Sequence, residues 1–184
     1  LYNGRFSESA SPSMKISCDI CVIGNGAIGK ASALALAQAG LDVVLVAPSA
    51  PSTVAPAAKA LSETDDWDQR VYALNHAARS LLTSLKAWDA MQATRIVPVD
   101  AMAVQGDAPD QSGLLNFDAY GARVGALAWI VEDRNLNQAL DAALRFASGL
   151  RIVNGAANKL DRTHDAAQIT LDNGDVISSR LVVG

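Results

Sequence analysis

The chain is poor in the residues that most often carry chemistry alone: two cysteines and two histidines in 184 residues. The cysteines stand as Cys18-x-x-Cys21, inside a stretch that reads as a β-strand. Residues three apart in a strand point to opposite faces, so neither a disulfide nor a shared metal is expected. His76 and His164 have no Cys or carboxylate partner at ligand spacing, which argues against a metal centre. Basic runs are missing too. Lys and Arg number 15 against 19 Asp and Glu, a net charge of −4, so no nucleic-acid partner is expected. No apolar run is long and uncharged enough to span a bilayer, and the best window, 28–46, is broken by Lys30, Gln38, Gly40 and Asp42. Residues 1–13 are polar and Ser-rich, unlike a signal peptide, and read as a flexible leader or an expression remnant with Met14 as the natural start. The default location is cytoplasmic. With half its residues apolar, the chain is expected to fold as one domain with a real core and part of a second.

What is present is concentrated near the start. The apolar stretch Cys18-Asp19-Ile20-Cys21-Val22-Ile23 runs into Gly24-Asn25-Gly26-Ala27-Ile28-Gly29, and Ala31, Leu34, Ala35 and Ala37 follow at helical spacing. Strand, glycines and helix in this order form a dinucleotide-binding fingerprint. Gly24 permits the tight turn, Gly26 lets backbone N–H groups approach a pyrophosphate, and Gly29 lets helix and strand pack closely. The positive end of the helix dipole then faces the phosphates.

Gly40 is a natural helix stop, and Asp42-Val43-Val44-Leu45-Val46 reads as a second buried strand, completing a βαβ unit. Pro48, Pro51 and Pro56 mark a loop, with 50–60 expected to be mobile. A helix is expected over 74–88, with Leu81, Leu82, Leu85 and Trp88 on its apolar face. A β-rich stretch follows: 96–105, where Pro98 suggests an edge, then 114–117 and 127–131. An amphipathic helix is expected over 135–146 and a strand over 150–153. Two strands should flank the turn Asp172-Asn173-Gly174-Asp175, and a further buried parallel strand should cover Leu181-Val182-Val183. The chain stops at Gly184, just past that strand, where a functional loop is expected. This suggests a piece of a longer protein.

The order of elements is not the repeating βαβαβ of a nicotinamide dehydrogenase. The expected fold is α/β: a glutathione-reductase-type, Rossmann-like FAD-binding domain with a β-meander crossover and an inserted, partial β-rich substrate domain. The FAD-binding domain would comprise 14–90 and 134–184, and the substrate-domain part 91–133.

Three stretches carry a family resemblance: the fingerprint of residues 23–29, Asp68-Gln69-Arg70-Val71-Tyr72-Ala73-Leu74, and Ile130-Val131-Glu132-Asp133-Arg134-Asn135-Leu136 with Gln138. In these the sequence resembles the UbiH-type ubiquinone-biosynthesis hydroxylases, FAD-dependent aromatic monooxygenases of the p-hydroxybenzoate hydroxylase superfamily. The resemblance covers roughly residues 15–184. It implies oxygen insertion into an aromatic ubiquinone precursor, with NAD(P)H reducing FAD and the cofactor supplying the chemistry. It also implies a full enzyme considerably longer than this chain, so the fragment alone would be inactive. Peripheral contact with the inner membrane and assembly into a homo-oligomer or biosynthetic complex are further implications for the whole enzyme.

The expected cofactor-binding residues are Gly24, Gly26, Ala27, Ile28 and Gly29 at the pyrophosphate turn, Arg70, Gln138 and Ala157. The family position implies a guanidinium contact from Arg70 to the pyrophosphate or flavin edge, to which a planar fork of donors is suited. The alternative for Arg70 is a surface pair with Asp66 or Asp68. Gln138 corresponds to a position near the flavin or ribityl chain, or else sits on a solvated helix face. Ala156 and Ala157 are placed near adenine by analogy alone. Glu132 and Asp133 are read as biasing a helix N-terminus, with Arg134 pairing to either. Trp67, Tyr72, Trp88 and Trp129 are read as packing residues. No catalytic residue is assigned. One departure stands out: the second strand should end in Glu or Asp to bond the adenosine ribose, and Ala47 stands there. Two other readings remain: a different flavoprotein of the same fold, or a nucleotide-binding module with no redox role.

Overall fold

The computed structural model describes residues 13–48, 67–106 and 113–184. The leader through residue 12, Asp66 and the loop bearing Pro51 and Pro56 lie outside the described residues. The elements in chain order are β1 (Lys15–Ile23), α1 (Ala27–Gln38), β2 (Val43–Ala47), β3 (Val71–Leu74), α2 (His76–Ser84), β4 (Ile96–Val99), β5 (Ala101–Val104), β6 (Leu115–Asp118), β7 (Ala128–Glu132), α3 (Asp133–Leu144), β8 (Leu150–Asn154), β9 (Ala157–Arg162), β10 (Ala167–Leu171) and β11 (Val176–Val183).

A six-stranded sheet in the order β8-β2-β1-β11-β10-β9 forms the frame. Strands β8, β2, β1 and β11 run parallel, and β10 and β9 continue antiparallel. The β-meander crossover is thus β9–β10–β11. A three-stranded sheet, β3-β7-β4, and the two-stranded β5-β6 hairpin stand between the halves of the main sheet in sequence. Pro98 sits in β4, an edge strand, where a missing N–H costs no ladder bond.

Helices α1 and α3 cover one face of the sheet, where Val22, Leu45, Leu34 and Leu140 are almost fully buried. Each such side chain contributes roughly 1.5–3 kcal/mol of transfer free energy. On the opposite face Cys21, Val44 and Val46 pack against Ile169, Leu171 and Ile177 of the meander.

The structure departs from the sequence reading at three places. The segment 74–88 is not one helix. Residues Val71–Leu74 pair antiparallel with β7, and Asn75 then caps a shorter helix by accepting from Ala78 N at 2.9 Å. The strand after the Asn-Gly turn and the strand at Leu181 are one continuous β11, which pairs with β10 at its start and with β1 throughout. Finally, Cys18 and Cys21 belong to the same apolar cluster, not to opposite faces. The N–H groups of both Asp19 and Ile20 point to Asp42 O, at 2.9 and 3.2 Å. The in-out alternation of β1 therefore breaks between Cys18 and Cys21, while its register with β11 stays unbroken. Both thiols are free and buried.

Candidate functional site

The carboxyl end of β1 turns into α1 through Gly24, whose φ of +124° lies in the region that glycine alone adopts readily. A Cβ on Gly29 would collide with the carbonyl oxygen of Gly24, so the third glycine is required for the helix to sit against the turn. A Cβ on Gly24 or Gly26 would meet nothing within 4 Å. Those two glycines therefore leave open space in front of the helix. Gly26 caps α1 without any side-chain hydrogen bond, and the first turn holds no acidic residue. The first intrahelical bond runs from Lys30 N to Gly26 O at 3.0 Å, so the N–H groups of Ala27, Ile28 and Gly29 precede the helical ladder and are available to an acceptor.

Two cavities meet at this turn. One, of about 670 Å³, is mainly apolar, and its lining includes Gly24, Gly26, Ile28, Leu74, Leu136 and Val183. The other, of about 480 Å³, is polar and is lined by Asn25, Gly26, Ala27, Lys30, Arg70, Asp133 and Gln138 among others. The fingerprint residues thus border both cavities, and Arg70 and Gln138 face the polar one. Ala157 lines neither; it opens β9 opposite Leu171.

Polar contacts hold the second cavity together. Asp68 accepts from Arg70 N at 3.1 Å and from Arg134 N at 3.0 Å, joining the approach to β3 to the start of α3. These two N–H bonds hold its carboxyl below the ordinary carboxylate value. Asp68 thus bonds the backbone of Arg70 and not its guanidinium. That guanidinium, 73% exposed, stands 4.0 Å from Asp133 Oδ2. Asp133 also accepts the Tyr72 hydroxyl at 2.8 Å and Asn137 Nδ2 at 2.7 Å. The bond to Asp133 raises the Tyr72 phenol above its usual value.

Several buried or paired side chains at or near the candidate site escaped the sequence reading. Lys30 is buried, with Nζ 2.7 Å from Asp141 and 3.1 Å from Asn137 Oδ1. Its signal was visible: Lys30, Ala33, Leu34 and Ala37 share one helical face, so a lysine sits on the buried stripe. Asp133, Asn137 and Asp141 repeat every fourth residue, which places them on one face of α3. Glu132 does more than bias a helix end. It pairs with Arg95 Nη1 at 2.8 and 2.9 Å. The aromatic residues pack as expected at Trp88 and Trp129, whose rings meet edge-on at 5.7 Å. Trp67, in contrast, is exposed and lies over the Arg95 guanidinium at 4.9 Å. At the end of β2, Ala47 is buried and its carbonyl accepts Gly155 N at 2.8 Å.

Comparison with known proteins bears on this geometry. The family model described as ketopantoate reductase PanE/ApbA matches residues 20–97, a stretch that takes in the fingerprint and the βαβ unit but less than half of the chain. A broader match comes from 3-demethoxyubiquinol 3-hydroxylase of Escherichia coli K12, 31% identical over 167 residues, which are 90% of this chain and 40% of that protein. The chain resembles the ubiquinone hydroxylases in sequence. Ubiquinone hydroxylase UbiM of Neisseria meningitidis is 29% identical over 92% of this chain and 36% of its own length. The chain therefore spans about two fifths of the length of these relatives. Among solved structures, the flavin-dependent monooxygenase PieE in complex with FAD and substrate has the same fold, with a TM-score of 0.57 at 17% identity over 92% of this chain and 30% of that one.

Among the described residues there is no group of three or more His, Cys, Asp or Glu that could hold a metal ion. Among them, too, no helix is long and apolar enough to cross a membrane.

Proposed function

We propose that this chain is the N-terminal part of an FAD-dependent monooxygenase that hydroxylates an aromatic ubiquinone precursor with NAD(P)H and O2. The observation that carries the reading is the β1–α1 turn. Space in front of Gly24 and Gly26, the uncapped N–H groups of Ala27, Ile28 and Gly29, and the exposed Arg70 guanidinium supply what a pyrophosphate needs. The residues present fit FAD. Gly26 and the first turn of α1 would hold the pyrophosphate, with Arg70 as its cationic partner and Gln138 toward the ribityl chain. When bound, FAD supplies the redox chemistry. The chain's own residues bind, orient and exclude water: the apolar cavity bordered by Leu74, Leu136 and Val183 keeps one side of the site dry. The substrate is a small quinone precursor, and the whole enzyme works in the cytoplasm or at the inner-membrane surface.

The test is substrate-stimulated oxidation of NAD(P)H by the full-length protein. A rate that rises with an added ubiquinone-precursor phenol, together with hydroxylated product, supports the reading. A flavoprotein that oxidises NAD(P)H with no phenol dependence is a different enzyme of the same fold.

One observation favours a second reading, a nucleotide-binding module with no redox role. Ala47 leaves the end of β2 without the carboxylate that usually bonds the adenosine ribose. Each lost charge-assisted bond is worth about 1.5–3 kcal/mol. Tight binding of ADP without binding of FAD would favour that reading.

A further inference from the structure

Lys30 follows directly on the last glycine of the fingerprint, and only 4% of its surface is exposed. A charge so deep among alanines and leucines requires partners. Both that the structure gives it lie on α3: Asp141 at 2.7 Å and Asn137 Oδ1 at 3.1 Å. Asn137 turns its amide nitrogen to Asp133, and Asp133 takes the Tyr72 hydroxyl and stands beside Arg70. A continuous chain of polar contacts thus runs from the helix facing the phosphate position to the Arg70 guanidinium. The two cations differ in kind. The Arg70 side chain is 73% exposed and reaches into the open cavity, whereas that of Lys30 is 5% exposed with its charge already matched.

We propose that Lys30 is a positioning residue of the dinucleotide site. It does not touch the ligand. Through Asp141 and Asn137 it fixes the face of α3 that carries Gln138 and Asp133, and thereby Arg70, against the N-terminus of α1. This rests on the dinucleotide reading above and extends it to a residue outside the glycine turn.

The test is titration of the full-length protein with FAD, and separately with ADP, at several salt concentrations. Lys30→Met and Asp141→Asn each weaken FAD binding by about tenfold at temperatures well below their melting transitions. The double variant binds no worse than either single one, because both remove the same link. The salt dependence of binding stays as in the parent, since no phosphate contact is lost, whereas Arg70→Met reduces it. Lys30→Arg recovers most of the affinity. If Lys30→Met fails to fold, Asp141→Asn decides the matter, since the Asp141 side chain is 47% exposed and Lys30 keeps its bond to Asn137 Oδ1 and an amide oxygen at position 141. Tighter binding in Asp141→Asn, or a reduced salt dependence in Lys30→Met, would make Lys30 a phosphate ligand and overturn the proposal. Folded variants that bind FAD as the parent does would overturn it as well. A parent that binds neither FAD nor ADP would overturn the dinucleotide reading itself.

Discussion

Arg95 and Glu132 form an ion pair in which both side chains are 3% exposed, with one guanidinium nitrogen 2.8 and 2.9 Å from the two carboxylate oxygens. Arg95 precedes β4 and Glu132 ends β7 at the entrance to α3, so the pair ties the small sheet to the helix that borders the site. Removing Glu132 takes from the buried Arg95 guanidinium the carboxylate that accepts two of its hydrogen bonds. Glu132→Leu should lower stability by about 3–5 kcal/mol in urea unfolding, and replacing both residues by apolar ones of similar volume should cost much less. Equal losses in the single and double variants would contradict this account of the pair.

The second and third glycines of the fingerprint should separate in their effects. Gly29→Ala places a methyl group against the Gly24 carbonyl, so α1 must shift. A loss of about 1–3 kcal/mol is expected, read as a lower midpoint in chemical unfolding. Gly26 has an ordinary extended backbone, φ −82° and ψ 175°, with open space where a Cβ would stand. Gly26→Ala should therefore keep the parent's stability.

Burial pushes the Cys21 thiol up to about 12 and raises that of Cys18 as well. A raised thiol value favours the neutral form in the folded state. Its contribution to stability is intact below the ordinary value of 9.0 and is lost as pH rises from there toward about 12. At pH 8 neither cysteine should react with a thiol reagent until urea unfolds the chain. Labelling of the native protein within minutes would contradict this.

Asp68 has the opposite sign. Its lowered carboxyl stabilises the fold above the ordinary carboxylate value of 3.8, and that contribution is lost as pH falls below it. The N–H groups of Arg70 and Arg134 should then lose hydrogen-exchange protection together. Asp68→Ala, which removes both acceptor oxygens, should loosen the same two amides already at neutral pH.

The frame of the fold was legible because its cues are local. A glycine turn between an apolar strand and an Ala/Leu helix, Gly40 at the helix end and Asn173-Gly174 between strands each act within a few residues. What was not legible depends on distant partners. Val71–Leu74 is a strand because β7 pairs with it, and β11 is continuous because β1 and β10 share it. Cys18 and Cys21 join one cluster with Val44, Ile169 and Ile177, side chains of other strands that the two-residue period of β1 does not reveal. At the candidate site, the glycines and Arg70 stand in motifs that the sequence displays locally, and they line its cavities. Lys30 and Arg95 were passed over because their carboxylate partners lie on elements far along the chain. The periodic Asp133, Asn137 and Asp141 were a cue that could have been read.

The most direct measurement is an FAD titration of the full-length protein, followed by flavin fluorescence, for the parent and for Gly26→Val. The account predicts one FAD per chain in the parent, and at least tenfold weaker binding in Gly26→Val with an unchanged melting transition. A parent that binds no FAD, or FAD binding indifferent to a side chain at position 26, would contradict a cofactor cradle at the N-terminus of α1.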